Sequence, residues 1–132
     1  MSPGEAASPR WQMSARDRNR VVHLELHTDD LSEARSFYEQ LFEWRAEPIP
    51  VACGAYLSMA LGGRIGGGIV ECPTPRPVWL PYVSVQRIGK VTDRARLLGA
   101  SILLEPREGP AGWRSVVAAP GAGEIALWEA KR

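Results

Sequence analysis

From Val21 to His27 the chain alternates strictly between apolar and polar positions. Val22, Leu24 and Leu26 fall on one side of an extended chain, and His23, Glu25 and His27 on the other. This period of two marks a strand with one face in a core. The next stretch has a different period. Asp30 and Glu33 form a helix start, with Asp30 as N-cap. Leu31, Ala34, Phe37, Tyr38 and Leu41 then recur at steps of three and four, which predicts one amphipathic helix ending near Phe42. Three strand-like stretches follow, Trp44–Ile49, Ala55–Leu61 and Gly67–Glu71, the last two joined by a glycine-rich turn over 62–66. Pro73, Pro75 and Pro77 make residues 72–78 a stiff connector.

The order then repeats. Leu80–Gln86 reads as a strand, and Ile88, Val91, Ala95 and Leu98 make a helical stripe stopped by Gly99. Ser101–Glu105, Trp113–Ala119 and Glu124–Glu129 are strand-like. The two halves align at a constant offset of 57, which carries Leu31 to Ile88, Tyr56 to Trp113, Ser58 to Ser115 and Val70 to Leu127. The unit is βαβββ, present twice.

At 132 residues the chain is one domain by length. Its formal net charge of +1 gives no electrostatic footprint for nucleic acid or an anionic membrane. No apolar run approaches membrane-spanning length, and the N-terminus has no signal-like apolar stretch, so a cytoplasmic protein is expected. Cys53 and Cys72 read as buried or idle thiols. Residues 1–20, rich in Ser, Pro, Ala and Arg, read as a disordered tail ahead of a single domain over 21–130. The domain divides into module one (21–71), the linker (72–78) and module two (79–130). The glycines of 62–68 lead from strand to strand with no helix after them, so they lack the context of a phosphate-binding loop.

This order resembles the vicinal oxygen chelate superfamily, which includes glyoxalase I, bleomycin-resistance proteins and extradiol dioxygenases. The residues that carry the resemblance are His23-Leu-Glu-Leu-His-Thr-Asp-Asp-Leu31 with Phe37-Tyr38, then Trp79-Leu-Pro-Tyr-Val-Ser-Val85, Leu97-Leu-Gly-Ala100, and Pro120-Gly with Ile125-Ala-Leu-Trp128. It covers residues 21–130. It implies an α+β fold in which two tandem βαβββ modules curl a mixed sheet around a cavity, with the helices outside. Alternation then assigns His23, Glu25, His27, Tyr56, Ser58, Ile69, Glu71, Leu80, Tyr82, Ser84, Trp113, Ser115, Val117, Glu124, Ala126 and Trp128 to the cavity side.

Metal-dependent relatives take ligands from the first and last strands of each module. Those positions fall here on His23, Ile69, Leu80 and Ala126. Only His23 can bind a metal, whereas transition-metal sites need three or four N, O or S donors. His23 and Glu25 could converge on one ion, with His27 too far along the strand and a further ligand drawn from Glu71, Glu124 or a second chain. The expectation is no metal and no cofactor.

Two functional readings follow. In one, Glu25 and His23 do acid–base work in a metal-free cyclase, isomerase or lyase. In the other, the protein sequesters a small, largely aromatic or apolar molecule, as in the bleomycin-resistance type. Tyr56, Tyr82, Trp113 and Trp128 supply flat contact area in either case. His27, Ser58, Ile69, Leu80, Ser115 and Ala126 complete the expected ligand-binding set. A metal-dependent glyoxalase or dioxygenase with His23 and Glu25 as ligands is the alternative. Relatives commonly pair two chains, so a homodimer is expected, with no nucleic-acid or membrane partner.

Overall fold

A computed structural model describes residues 18–50 and 55–132. Cys53 and most of the N-terminal tail lie outside the described residues. Two helices and eight strands occur among the described residues, in the order βαβββ twice: β1 (Val21–Thr28), α1 (Leu31–Phe42), β2 (Ala46–Pro48), β3 (Tyr56–Met59), β4 (Gly66–Glu71), then β5 (Val78–Ser84), α2 (Ile88–Leu97), β6 (Ser101–Glu108), β7 (Gly112–Ala119) and β8 (Gly123–Ala130). Contacts divide the chain into two compact units, one of His23–Leu80 and one of Pro81–Arg132 with the residues up to Val22. No helix among the described residues is long and apolar enough to cross a membrane.

In the first unit the strands run β2-β3-β4-β1. β1 pairs with β4 in parallel and β3 with β4 antiparallel, so the sheet is mixed. Its core joins Leu26, Ala46, Leu57, Met59 and Ile69, with Leu31, Ala34 and Tyr38 of α1 packed on it. Asp30 caps α1 as expected, its carboxylate accepting from Glu33 N at 3.0 Å. Glu33 is not the reciprocal partner here. Asp30 N donates instead to Thr28 Oγ1 at 3.1 Å, and Leu31 N donates to Glu71 Oε2 at 3.2 Å. α1 ends where Glu43 turns left-handed, with φ 59°. The expected helix stripe is only half used. Phe37 and Leu41 stay exposed, because the packed rows on this short helix run through Leu31, Ala34 and Tyr38. Tyr38 is in turn flanked by Trp44 and Trp79, with ring centroids at 5.7 and 5.4 Å.

In the second unit the strands run β5-β8-β7-β6. Its core joins Val85, Ile88, Val117 and Leu127, with Val91, Ala95, Trp113 and Ile125 against it. Ile88 N donates to Glu129 Oε1 at 2.8 Å. Each module therefore uses a glutamate of its last strand, Glu71 or Glu129, to satisfy the first amide of its own helix, where an anion also complements the helix dipole. The expected stripe again thins at its end, for Leu98 is exposed.

The repeat is real, but its offset is not constant. β1 and α1 match β5 and α2 at 57. In the last two strands Leu57 matches Ser115, Ile69 matches Leu127 and Glu71 matches Glu129, an offset of 58. Module two takes in one more residue between its helix and its third strand, where the pairing of β6 with β7 is irregular between Ile102 and Leu104 and between Leu104 and Arg107. A one-residue slip inverts which face a strand side chain occupies. The faces expected for β7 and β4 therefore need correction. Trp113, Ser115 and Val117 lie on the helix side: Trp113 and Val117 pack in the core, and Ser115 Oγ meets Thr92 Oγ1 of α2 at 2.9 Å. Ile69, expected on the cavity side, is fully buried in the core against Leu26 and Leu57. Glu71 likewise turns to α1.

Candidate functional site

The polar face of β1 is as the alternation predicts. His23 and Glu25 are buried, at 4% and 6% exposure, while Leu26 packs into the helix-side core. Opposite them on β4 stand glycines, with His23 paired to Gly66 and Glu25 to Gly68. Glycine is a poor strand residue, and within a strand it marks a place where something else approaches the backbone closely.

Four side chains form a chain of polar contacts on this face. Tyr56 Oη lies 3.2 Å from His23 Nε2. The same nitrogen lies 3.4 Å from Glu25 Oε2. Glu25 Oε1 lies 2.9 Å from His27 Nε2. His27, expected too far along the strand to share an ion with His23 and Glu25, is a direct partner of Glu25, with its side chain 23% exposed. With Glu25 ionised, the carboxylate can only accept, so His27 donates to it. A carboxylate gripped by an imidazole at one oxygen and approached by a second imidazole at the other can exchange a proton along the row. Ser58, which pairs with Gly68, shares this face of β3.

Cys72 follows β4, with its amide donating to Thr28 O at 2.9 Å. Its thiol is pushed above the ordinary range, first by burial and then by the carboxylates of Glu25 and Asp29. The thiolate is the reactive form. Iodoacetamide should therefore alkylate Cys72 more slowly at pH 8 than a thiol in a flexible peptide, and Glu25→Gln should speed it. Peptide mapping of the alkylated sites is the check, and a rate at or above that of the free thiol would contradict the burial and the nearby charge.

The second unit offers a second set on the face away from its helix. Tyr82 and Trp128 are buried there with ring centroids 6.4 Å apart, and fully buried Ala126 pairs with Tyr82. Arg114, which pairs with Trp128 across the strands, donates from Nη1 to Tyr82 Oη at 3.0 Å. Arg114 escaped the sequence reading. At the offset of 58 it is the mate of Tyr56, and that alignment was the one signal that could have found it. Gly112 leaves room for the Trp128 indole, since a Cβ there would lie 2.8 Å from Cζ2. Leu80, buried at the end of the first unit, has the strand parity of Tyr82.

The donor set does not fit a metal of the kind the superfamily uses. With Ile69 in the core, the β4 residues opposite Glu25 and His27 are Gly68 and Val70, and neither is a ligand. Among the described residues no three His, Cys, Asp or Glu side chains are placed to hold an ion.

No protein-family model matches the sequence. The chain is 29% identical over 117 residues, 83% of its length, to CFP32 of Mycobacterium tuberculosis, a protein whose name assigns it provisionally to the glyoxylases. The chain spans about half the length of that relative, 45%. Among solved structures it is similar to the hypothetical protein BH1468 of Bacillus halodurans, with a TM-score of 0.66, 10% identity and coverage of 86% of this chain and 96% of that one. It is also similar to methylmalonyl-CoA epimerase of Mycobacterium tuberculosis, with a TM-score of 0.62, 16% identity and coverage of 92% and 95%. Two βαβββ modules, the mixed sheets and these likenesses give the chain the fold of the vicinal oxygen chelate superfamily.

Proposed function

We propose that this domain binds a small, largely apolar organic molecule and moves a proton on it without a metal, as an isomerase, lyase or cyclase, with Glu25 and His23 as the acid–base pair. One observation carries the reading: the row Tyr56–His23–Glu25–His27, buried at His23 and Glu25 and half-buried at its ends, with every neighbouring pair within hydrogen-bond reach. A purely structural role would need only a paired carboxylate. Here two imidazoles converge on it and a phenol meets one of them, and general acid–base catalysis needs groups arranged in this way. In the isomerase form, the base takes a proton from a carbon next to an electron-withdrawing group, the electron pair is held on that group, and the proton returns to a different face or atom. No oxidant or metal enters that balance. The fold is also that of a named epimerase, so it can house chemistry of this kind.

Sequestration of the same molecule is the second reading. What favours it is the apolar replacement at the superfamily's ligand positions, of which Leu80 and Ala126 keep the expected parity.

Native mass spectrometry of protein as isolated tests the binding, metal and assembly parts together. The expected spectrum shows twice the chain mass, since a homodimer is part of the proposal, with no transition metal and an organic adduct released on unfolding. One zinc, iron, manganese or nickel per chain, lost in His23→Ala, would overturn metal independence, and a strict monomer at tens of micromolar would overturn the dimer.

A further inference from the structure

Tyr56 stands on β3 and His23 on β1, with β4 between them. The two outer strands are roughly 10 Å apart, twice the spacing of neighbours in a sheet. A side chain that joins them must cross β4 on the same face. Tyr56 pairs with Val70, and one step along β4 on that face lies Gly68. The phenol crosses there. A Cβ at Gly68 would sit 2.5 Å from Tyr56 Cζ and closer still to its oxygen, well inside van der Waals contact.

We propose that Gly68 is a positioning residue: its bare Cα is the channel through which the Tyr56 phenol reaches His23, and the phenol sets which nitrogen of His23 carries the proton. The inference deepens the acid–base reading above and rests on it for its meaning, but not for its test.

The chemistry turns on a single atom. Nε2 of His23 has either one hydrogen or one lone pair, yet two groups approach it, Tyr56 Oη at 3.2 Å and Glu25 Oε2 at 3.4 Å. An ionised carboxylate favours a hydrogen on Nε2. A phenol that donates favours a bare Nε2, with the hydrogen on Nδ1. The phenol is the nearer of the two, and Glu25 is already held at its other oxygen by His27 at 2.9 Å. With the phenol in place, Nε2 is kept as an acceptor and His23 is poised to take a proton. Without it, the carboxylate at 3.4 Å favours a hydrogen on Nε2.

The chain has only two histidines, so nitrogen-15 NMR of the imidazoles reads each ring separately, without substrate. Tyr56→Phe removes only the oxygen. Gly68→Ala pushes aside the end of a flexible side chain, so a folded protein with a displaced phenol is expected. Both variants should move the His23 Nε2 signal toward the protonated-nitrogen side and leave the His27 signals in place. In a Tyr56→Ala background, which makes room for the methyl, adding Gly68→Ala should change neither the His23 signals nor the melting temperature further. An unmoved His23 signal in Tyr56→Phe or Gly68→Ala would overturn the proposal. So would a Gly68→Ala effect of equal size in the Tyr56→Ala background, because the methyl would then act by itself. Failure of the acid–base reading shows separately, as turnover untouched by Glu25→Gln while this cycle holds.

Discussion

Glu25→Gln should cut turnover by roughly 10²- to 10⁴-fold while leaving ligand binding nearly intact. The substitution keeps the shape of the side chain and a carbonyl oxygen that still accepts from His27 Nε2, now 2.9 Å from Oε1. It removes the negative charge and the ability to take up a proton at ordinary pH. A loss confined to the rate constant, with affinity unchanged, is the signature of a group that acts in the transition state. In a sequestering protein the same change should alter affinity modestly and nothing else. Single-turnover kinetics with the molecule identified by mass spectrometry, beside calorimetric binding, separates the two. A turnover within a few-fold of the parent would remove Glu25 from the chemistry.

Ile69→Ala should lower unfolding stability by about 2–5 kcal/mol, the usual cost of truncating a fully buried aliphatic side chain. Ile69 is wholly enclosed between Leu26 of β1 and Leu57 of β3, where the core under α1 cannot easily collapse into the space left behind. Urea unfolding gives the value directly, as a lower midpoint at unchanged slope. Had Ile69 lined a ligand cavity, the same change would weaken binding and cost little stability. A loss below about 1 kcal/mol, outside the range for buried truncations, together with altered affinity would restore that placement.

These two expectations come from opposite sides of one boundary. The face of β1 was legible in the chain, since His23, Glu25 and His27 alternate with Val22, Leu24 and Leu26 and the side-chain period of a strand is a local property. The start of α1 at Asp30, the order βαβββ and its repetition were equally local, because caps, helical steps and glycine or proline breaks act over a few residues. Glu25, the centre of the polar row, needed nothing more than that alternation to be singled out.

The faces of β4 and β7 were not legible in this way. Gly66-Gly-Gly-Ile-Val-Glu71 and Trp113-Arg-Ser-Val-Val-Ala118 carry no clean alternation, so alternation alone could not fix which of their faces meets the helix. An offset of 57 holds for the first strand and helix. The irregular β6 shifts it to 58 before β7, which turns Trp113 and Ser115 to the helix and brings Arg114 to the other face. The sequence by itself determined the elements, their order and the polar face of the first strand. Tertiary structure alone decided that Ile69 is core, that Tyr56 meets His23 across Gly68 and that Arg114 meets Tyr82. The reason is physical: an element's period is written in neighbouring residues, whereas the register between strands is set where distant segments pair, and there one added residue reverses every side chain that follows.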